Sequence, residues 1–178
     1  MATPKQLVAK VAELTGVPEG TVVQHDRNLS VAELRTTGGR GLAVAKVTFE
    51  DAANLLIAVA GSRNVKDSVK TVREYRELVS SQPLDFGDVR RGHTFGDALS
   101  ALIEATPKDR DLFSGGDGGT IEVSIFGPSP AARIEWHLPT SHGAVEYTGQ
   151  RSRAFADLQF VSKFSQVTIG HVGDLVSD

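Results

Sequence analysis

The spacing of apolar residues in this chain of 178 residues changes once, and that change limits the fold more than any other feature. As far as "HTFGDALSALIEA", which ends at Ala105, apolar positions recur three and four residues apart. From Thr120 they alternate, with Ile121, Val123 and Ile125 on one side of "TIEVSIFG". The first period is that of a helix with one buried face, the second that of a half-buried strand. The expected class is therefore α+β, with an all-helical N-terminal domain followed by a small antiparallel-sheet α+β domain.

Local signals place the elements. Thr3 caps a first helix, Pro4 to Leu14, whose stripe is Leu7, Val8, Val11 and Leu14, and Gly16 stops it. A second helix runs from Glu19 to Leu34, with Asn28 and Ser30 as possible breaks. "VTFEDAANLLIAVAGS" is the clearest helix. Thr48 and Asp51 resemble a capping box, Gly61 ends it, and its apolar residues cover nearly the whole circumference, as in a central helix. A fourth helix is expected over Val65 to Val79, with Val65, Val69, Val72, Arg76 and Val79 on one face. "SSQPLDFGDVRRG" marks a boundary, dividing the chain into 1–80, a linker 81–92, and 93–178. Thr94 and Asp97 predict a helix from Phe95 to Ala105. "TIEVSIFG", "AARIEWHL", "AVEYTG" and "DLQFVSKFS" read as strands, and "QVTIGHVGDLV" as a closing helix. Trp136 and Tyr147 lie on strands and read as core or interface residues.

Composition removes several function classes. There are no cysteines, so disulfides, thiolate metal sites and cysteine nucleophiles are out. No stretch approaches the ~20 apolar residues of a membrane span, and a cytoplasmic location without membrane contact is expected. No GxSxG elbow is present, and the five histidines form no HxH or HExxH pattern. His137 and His142 flank "HLPTSH" and could meet near Glu135, but that is a loose pair where a metal needs three or four ligands. Asp109, Asp111 and Asp117 do not fit a calcium-loop spacing. The reading is a non-enzyme with no cofactor and no metal. Residues 1–78 hold 11 Lys/Arg and 9 Asp/Glu, a net +2, and residues 79–178 hold 8 and 13, a net −5. The basic balance of the first part is modest for a nucleic-acid binder, so clustering on one face would have to supply the field.

"LTGVPEGTVVQHDRN", Leu14 to Asn28, carries the functional reading. Ala12, Gly16, Val17 and Val22 supply the small residue, the turn glycine and the apolar residues that a steep helix crossing needs. In this spacing the segment resembles bacterial helix-turn-helix regulators. It departs from their pattern at His25, where an apolar residue is expected. The resemblance implies a sequence-specific double-stranded-DNA-binding transcription regulator, acting as a homodimer on paired half-sites. Thr21, Gln24, Arg27 and Asn28, with His25 as a possible addition, would lie outward on the second helix, and Gln, Asn and Arg suit base edges. "RTTGGRGLAVAK" adds Arg35, Arg40 and Lys46 on a glycine-rich loop suited to phosphates; it lacks the GK[ST] ending of a nucleotide-binding loop. The block from Asp26 to Ser62 is also similar to N-terminal segments of small phage and prophage proteins, which implies a mobile-element link. The alternative is a phage-type protein-interaction or adaptor module, working through its acidic sheet domain without touching DNA.

Overall fold

Six α-helices and four strands make up the described part of the computed structural model, which covers residues 2–38, 45–80, 82, 93–105, 119–139, 141–149 and 157–178. Arg40, most of the 81–92 segment, and the acids Asp109, Asp111 and Asp117 lie outside those residues.

The helix starts follow from their caps. α1 (Pro4–Thr15) begins with a reciprocal pair: the Thr3 hydroxyl accepts from the Gln6 N–H, and the Gln6 side chain accepts from the Thr3 N–H. α2 (Glu19–Val31) follows after three residues. α3 (Phe49–Gly61) opens with the Thr48–Asp51 box and is buried almost all round, as a central helix must be. The expected fourth helix is shorter and rotated. A 3₁₀ turn at Val65–Asp67 precedes α4 (Ser68–Arg76), whose buried face is Ser68, Thr71, Val72 and Tyr75. α4 ends at Arg76, so Val79 lies outside the helix, exposed, and bridges to Thr94 and Thr148. α5 (Phe95–Ala105) matches the expected span, with Thr94 and Asp97 bonded reciprocally.

β1 (Thr120–Gly127), β2 (Ala131–His137), β3 (His142–Thr148) and β4 (Phe160–Ser165) form one antiparallel sheet in the order β3-β2-β1-β4. α6 (Gln166–Ser177) follows β4 directly, with the Ser165 hydroxyl accepting from the Val167 N–H. The pairing puts Val123, Ile134, Val145 and Phe164 abreast on the inner face, and Ile125, Ala132 and Tyr147 in the next row. At the strand ends the Gly127 backbone lies opposite Phe160, whose ring is so close that a side-chain carbon at residue 127 would fall 2.0 Å from it. The outer face carries Glu122, Lys163, Arg133, Glu135 and Glu146, joined by Lys163–Glu122 at 2.7 Å and Arg133–Glu135 at 3.1 Å.

α3 and α6 lie against the sheet, α5 packs on α3 and α6, and α1 touches α6. Buried residues from both sides of the 81–92 segment belong to one cluster, from Leu7 and Val11 through Leu55 and Ile57 to Phe95, Leu99, Ile134 and Tyr147. Tyr75 on α4 donates to the Phe126 carbonyl on β1 at 2.6 Å, tying helices to sheet. Burial pushes the Tyr75 phenol up to about 12, so it stays a donor. Trp136 and Tyr147 are buried on the inner face, and His93 meets the Tyr147 hydroxyl at 2.7 Å. No helix of the described residues is long and apolar enough to cross a membrane.

Candidate nucleic-acid interface

The connection from α1 to α2 is Gly16, Val17 and Pro18. Gly16 has φ 69° and nothing within 4 Å of where a side chain would start, so the glycine serves the left-handed backbone and not close packing. Ala12 and Val17 pack on the core from its edge, and Val22 is fully buried. Ala12, Val17 and Val22 thus join the core where α1 and α2 meet, and Gly16 sets the turn between them.

The inward face of α2 is Val22, His25 and Leu29. His25 takes the position where an apolar residue is expected and is itself buried, correcting the option that it faces outward. Its Nδ1 lies 2.7 Å from the Ser68 hydroxyl. Ser68 donates its single hydroxyl proton to the Val65 carbonyl, so the network assigns the proton of the ring to His25 Nδ1. Burial lowers the His25 pKa, and a neutral imidazole stands in for an apolar side chain.

Among the residues singled out for DNA contact, Gln24 and Arg27 are exposed on the outward stripe, together with Gly20, Val23 and Val31. Thr21 and Asn28 are half-buried on the flank toward α4. Asn28 donates its amide to the Val65 carbonyl at 2.9 Å, so that side chain is already engaged. On the opposite flank Asp26 meets Arg35 Nε at 2.8 Å, with side chains only 14% and 12% exposed. The contact is an ion pair without an aligned hydrogen bond. The Asp26 pKa is raised, by burial first and by Asp51 as well, against the opposing pull of Arg35. Arg35 also donates to the Thr36 carbonyl at 2.8 Å. Its charge is committed to the protein rather than offered to solvent.

α2 ends three residues earlier than expected. Glu33 adopts φ 59°, the Leu34 N–H reaches back to the Leu29 carbonyl at 2.9 Å, and the Glu33 N–H to that of Ser30 at 3.3 Å. That is a Schellman stop with glutamate where glycine is usual. The chain then passes Asp51, buried at the start of α3, which accepts from the Thr36 N–H at 2.7 Å and the Thr48 N–H at 2.8 Å. Asn54 donates to the Leu34 carbonyl at 2.9 Å. α3 therefore clasps both ends of the glycine-rich segment. Lys46 is exposed just before this clasp, beside Val47, whose N–H bonds the Ala2 carbonyl. The capping role of Asp51 is legible in the sequence; its second bond, to Thr36 fifteen residues away, is not.

His137 and His142 are cross-strand neighbours, and His137 lies 3.2 Å from Glu135. Among the described residues no group of three His, Asp or Glu side chains converges as metal ligands do. A shallow cleft of about 370 Å³ between α3, α4 and α5 is lined by Glu50, Arg76, Asp97 and Glu104, with Arg76 paired to Glu50 at 2.8 Å.

No family model, curated protein or solved structure matches the chain.

Proposed function

We propose that the chain is a sequence-specific double-stranded-DNA-binding transcription regulator that presents α2 to the major groove and acts as a homodimer. The observation that supports it is the outward stripe of α2, set after the left-handed turn at Gly16, on which Gln24 and Arg27 are exposed. Glutamine can bond adenine bidentately and arginine can bond guanine likewise. No side chain caps the start of α2, where Thr21 stands half-buried, which leaves the helix N-terminus suited to a phosphate. The link to phage or mobile elements rests on the likeness of the Asp26 to Ser62 segment alone.

Selection from random duplex DNA with the purified chain tests the reading. Gln24→Ala and Arg27→Ala should each weaken binding to the selected duplex by about 1–3 kcal/mol and relax specificity at one position, with thermal unfolding unchanged. Wild-type affinity in both variants would sink the assignment.

A second reading, a protein-interaction module that does not touch DNA, is favoured by one observation. Val23 and Val31 on the same stripe are 47% and 80% exposed. Selection that enriches no duplex, with Val31→Asp abolishing capture of a protein partner, would decide for it.

A further inference from the structure

We infer that the shoulder beside α2, made by the 3₁₀ turn and the first turns of α4, is the surface that grips the DNA backbone, through Lys66, Lys70 and Arg73. The inference rests on the DNA reading above and adds where the phosphates would sit. The three cations are exposed; Lys70 and Arg73, three residues apart, share one side of α4, and Lys66 stands on the 3₁₀ turn that leads into it. They span about 10 Å along its axis, a length over which one strand of a duplex carries about three phosphates.

Two features make this row part of the α2 surface and not a solvated face elsewhere. Asn28 holds the Val65 carbonyl, one residue before Lys66, and His25 meets Ser68, two residues after it. Both contacts leave from the flank of α2 adjoining Gln24. The row is thereby fixed in register with the side chains proposed to read bases, as a phosphate contact that positions a reader must be. On the opposite flank Arg35 is paired with Asp26 and so is not free for a phosphate, whereas Lys46 is exposed ahead of α3. The neighbouring acids offset the row only in part. Glu77 pairs with Arg76 at 3.3 Å, and Glu74 approaches Lys70 only to 3.9 Å with both side chains exposed, while Asp67, which accepts from the Asn64 amide at 3.4 Å, keeps its charge beside Lys66.

The test is equilibrium binding of the full chain, across a salt series, to the selected duplex and to a mixed-sequence duplex. Each lost phosphate contact removes about 0.9 from the slope of log K against log salt. The triple variant Lys66→Ala, Lys70→Ala, Arg73→Ala should lose roughly 2.7 of that slope and weaken binding to both duplexes alike. Lys163→Ala, on the outer sheet face, should leave the slope as in wild type. Asn28→Ala should keep the slope while narrowing the preference for the selected duplex, since it loosens register without removing charge. If wild type binds and the triple variant changes the slope by less than about one unit, the shoulder is not the backbone grip and the DNA reading stands. If wild type binds neither duplex at any salt, both the reading and the inference fall.

Discussion

A buried histidine on a helix proposed to face DNA looks like a fault, yet at His25 it is a workable substitution. The ring is flanked by Val22 and Leu29 along α2, and its Nδ1 proton goes to the Ser68 hydroxyl, so a neutral imidazole satisfies its donor. The cost appears with acid. Because burial depresses the folded-state pKa below the ordinary value of 6.5, the unfolded chain binds more protons in that window. Stability should therefore fall as pH drops below about 6.5 and level off once the folded-state pKa is passed. Asp26 works with the opposite sign: its raised pKa means the folded chain binds more protons, and stability falls as pH rises through that range. His25→Leu separates the two, since it keeps Asp26. Urea midpoints at pH 7 and pH 5 should shift less in the variant than in wild type, with a cost at pH 7 of about 1 kcal/mol for the lost hydrogen bond. An equal shift in both proteins would mean that His25 is not the acid-sensitive group.

At the scale of elements, helix ends decide where the candidate readers point. α2 stops at a Schellman turn in which Glu33 holds a left-handed backbone, a conformation that a Cβ disfavours and glycine adopts freely. Glu33→Gly should raise stability by about 1 kcal/mol, seen as a higher melting temperature, while leaving α2 at the same length. A lower melting temperature would show that the glutamate side chain contributes more than its backbone costs. The same turn explains what was and was not legible in sequence. Thr3 with Pro4, Thr48 with Asp51, Thr94 with Asp97, and the alternation of β1 are signals completed within a few residues, and each marks its element's position closely. Glu33 carries no left-handed signal, so the sequence alone extends α2 to Leu34. The face expected over Val65–Val79 differs because α4 spans only Ser68–Arg76 and buries the polar Ser68 and Thr71 beside Val72 and Tyr75, which apolar spacing does not reveal. At the candidate site Gln24 and Arg27 could be read from helical spacing alone. The engagement of Asn28 by Val65, 37 residues away, and of His25 by Ser68, 43 residues away, depends on packing that no local pattern encodes.

At the scale of the whole molecule, the question is whether the helical part and the sheet part unfold as one. The change of hydrophobic period and the Pro- and Gly-bearing stretch near residue 82 suggest a division, but burial crosses it. Leu55, Leu56 and Ile57 of α3 share a cluster with Phe95 and Leu99 of α5 and with Ile125 and Ile134 of the sheet. Val79 is hydrogen-bonded to Thr148 in both directions, at 3.4 and 3.2 Å, and the Phe95 N–H bonds the Leu78 carbonyl at 2.7 Å. Removing either part would expose the apolar face of the other, so neither should persist alone under conditions that melt its partner. Trp136, the single tryptophan, lies on β2, whereas α1 to α4 all lie before residue 80. Tryptophan fluorescence thus reports mainly the sheet, and far-UV circular dichroism is weighted toward the helices. The two should give coincident urea transitions. Ile57→Ala, a truncation in α3 at the centre of the shared cluster, should cost about 2–5 kcal/mol and move both transitions together. Two midpoints in wild type, or a variant in which only the helical signal moves, would make the parts separate bodies. The row of cations on α4 would then owe its position to the helical part alone, whereas a single transition ties it, through Tyr75 and Phe126, to the sheet as well.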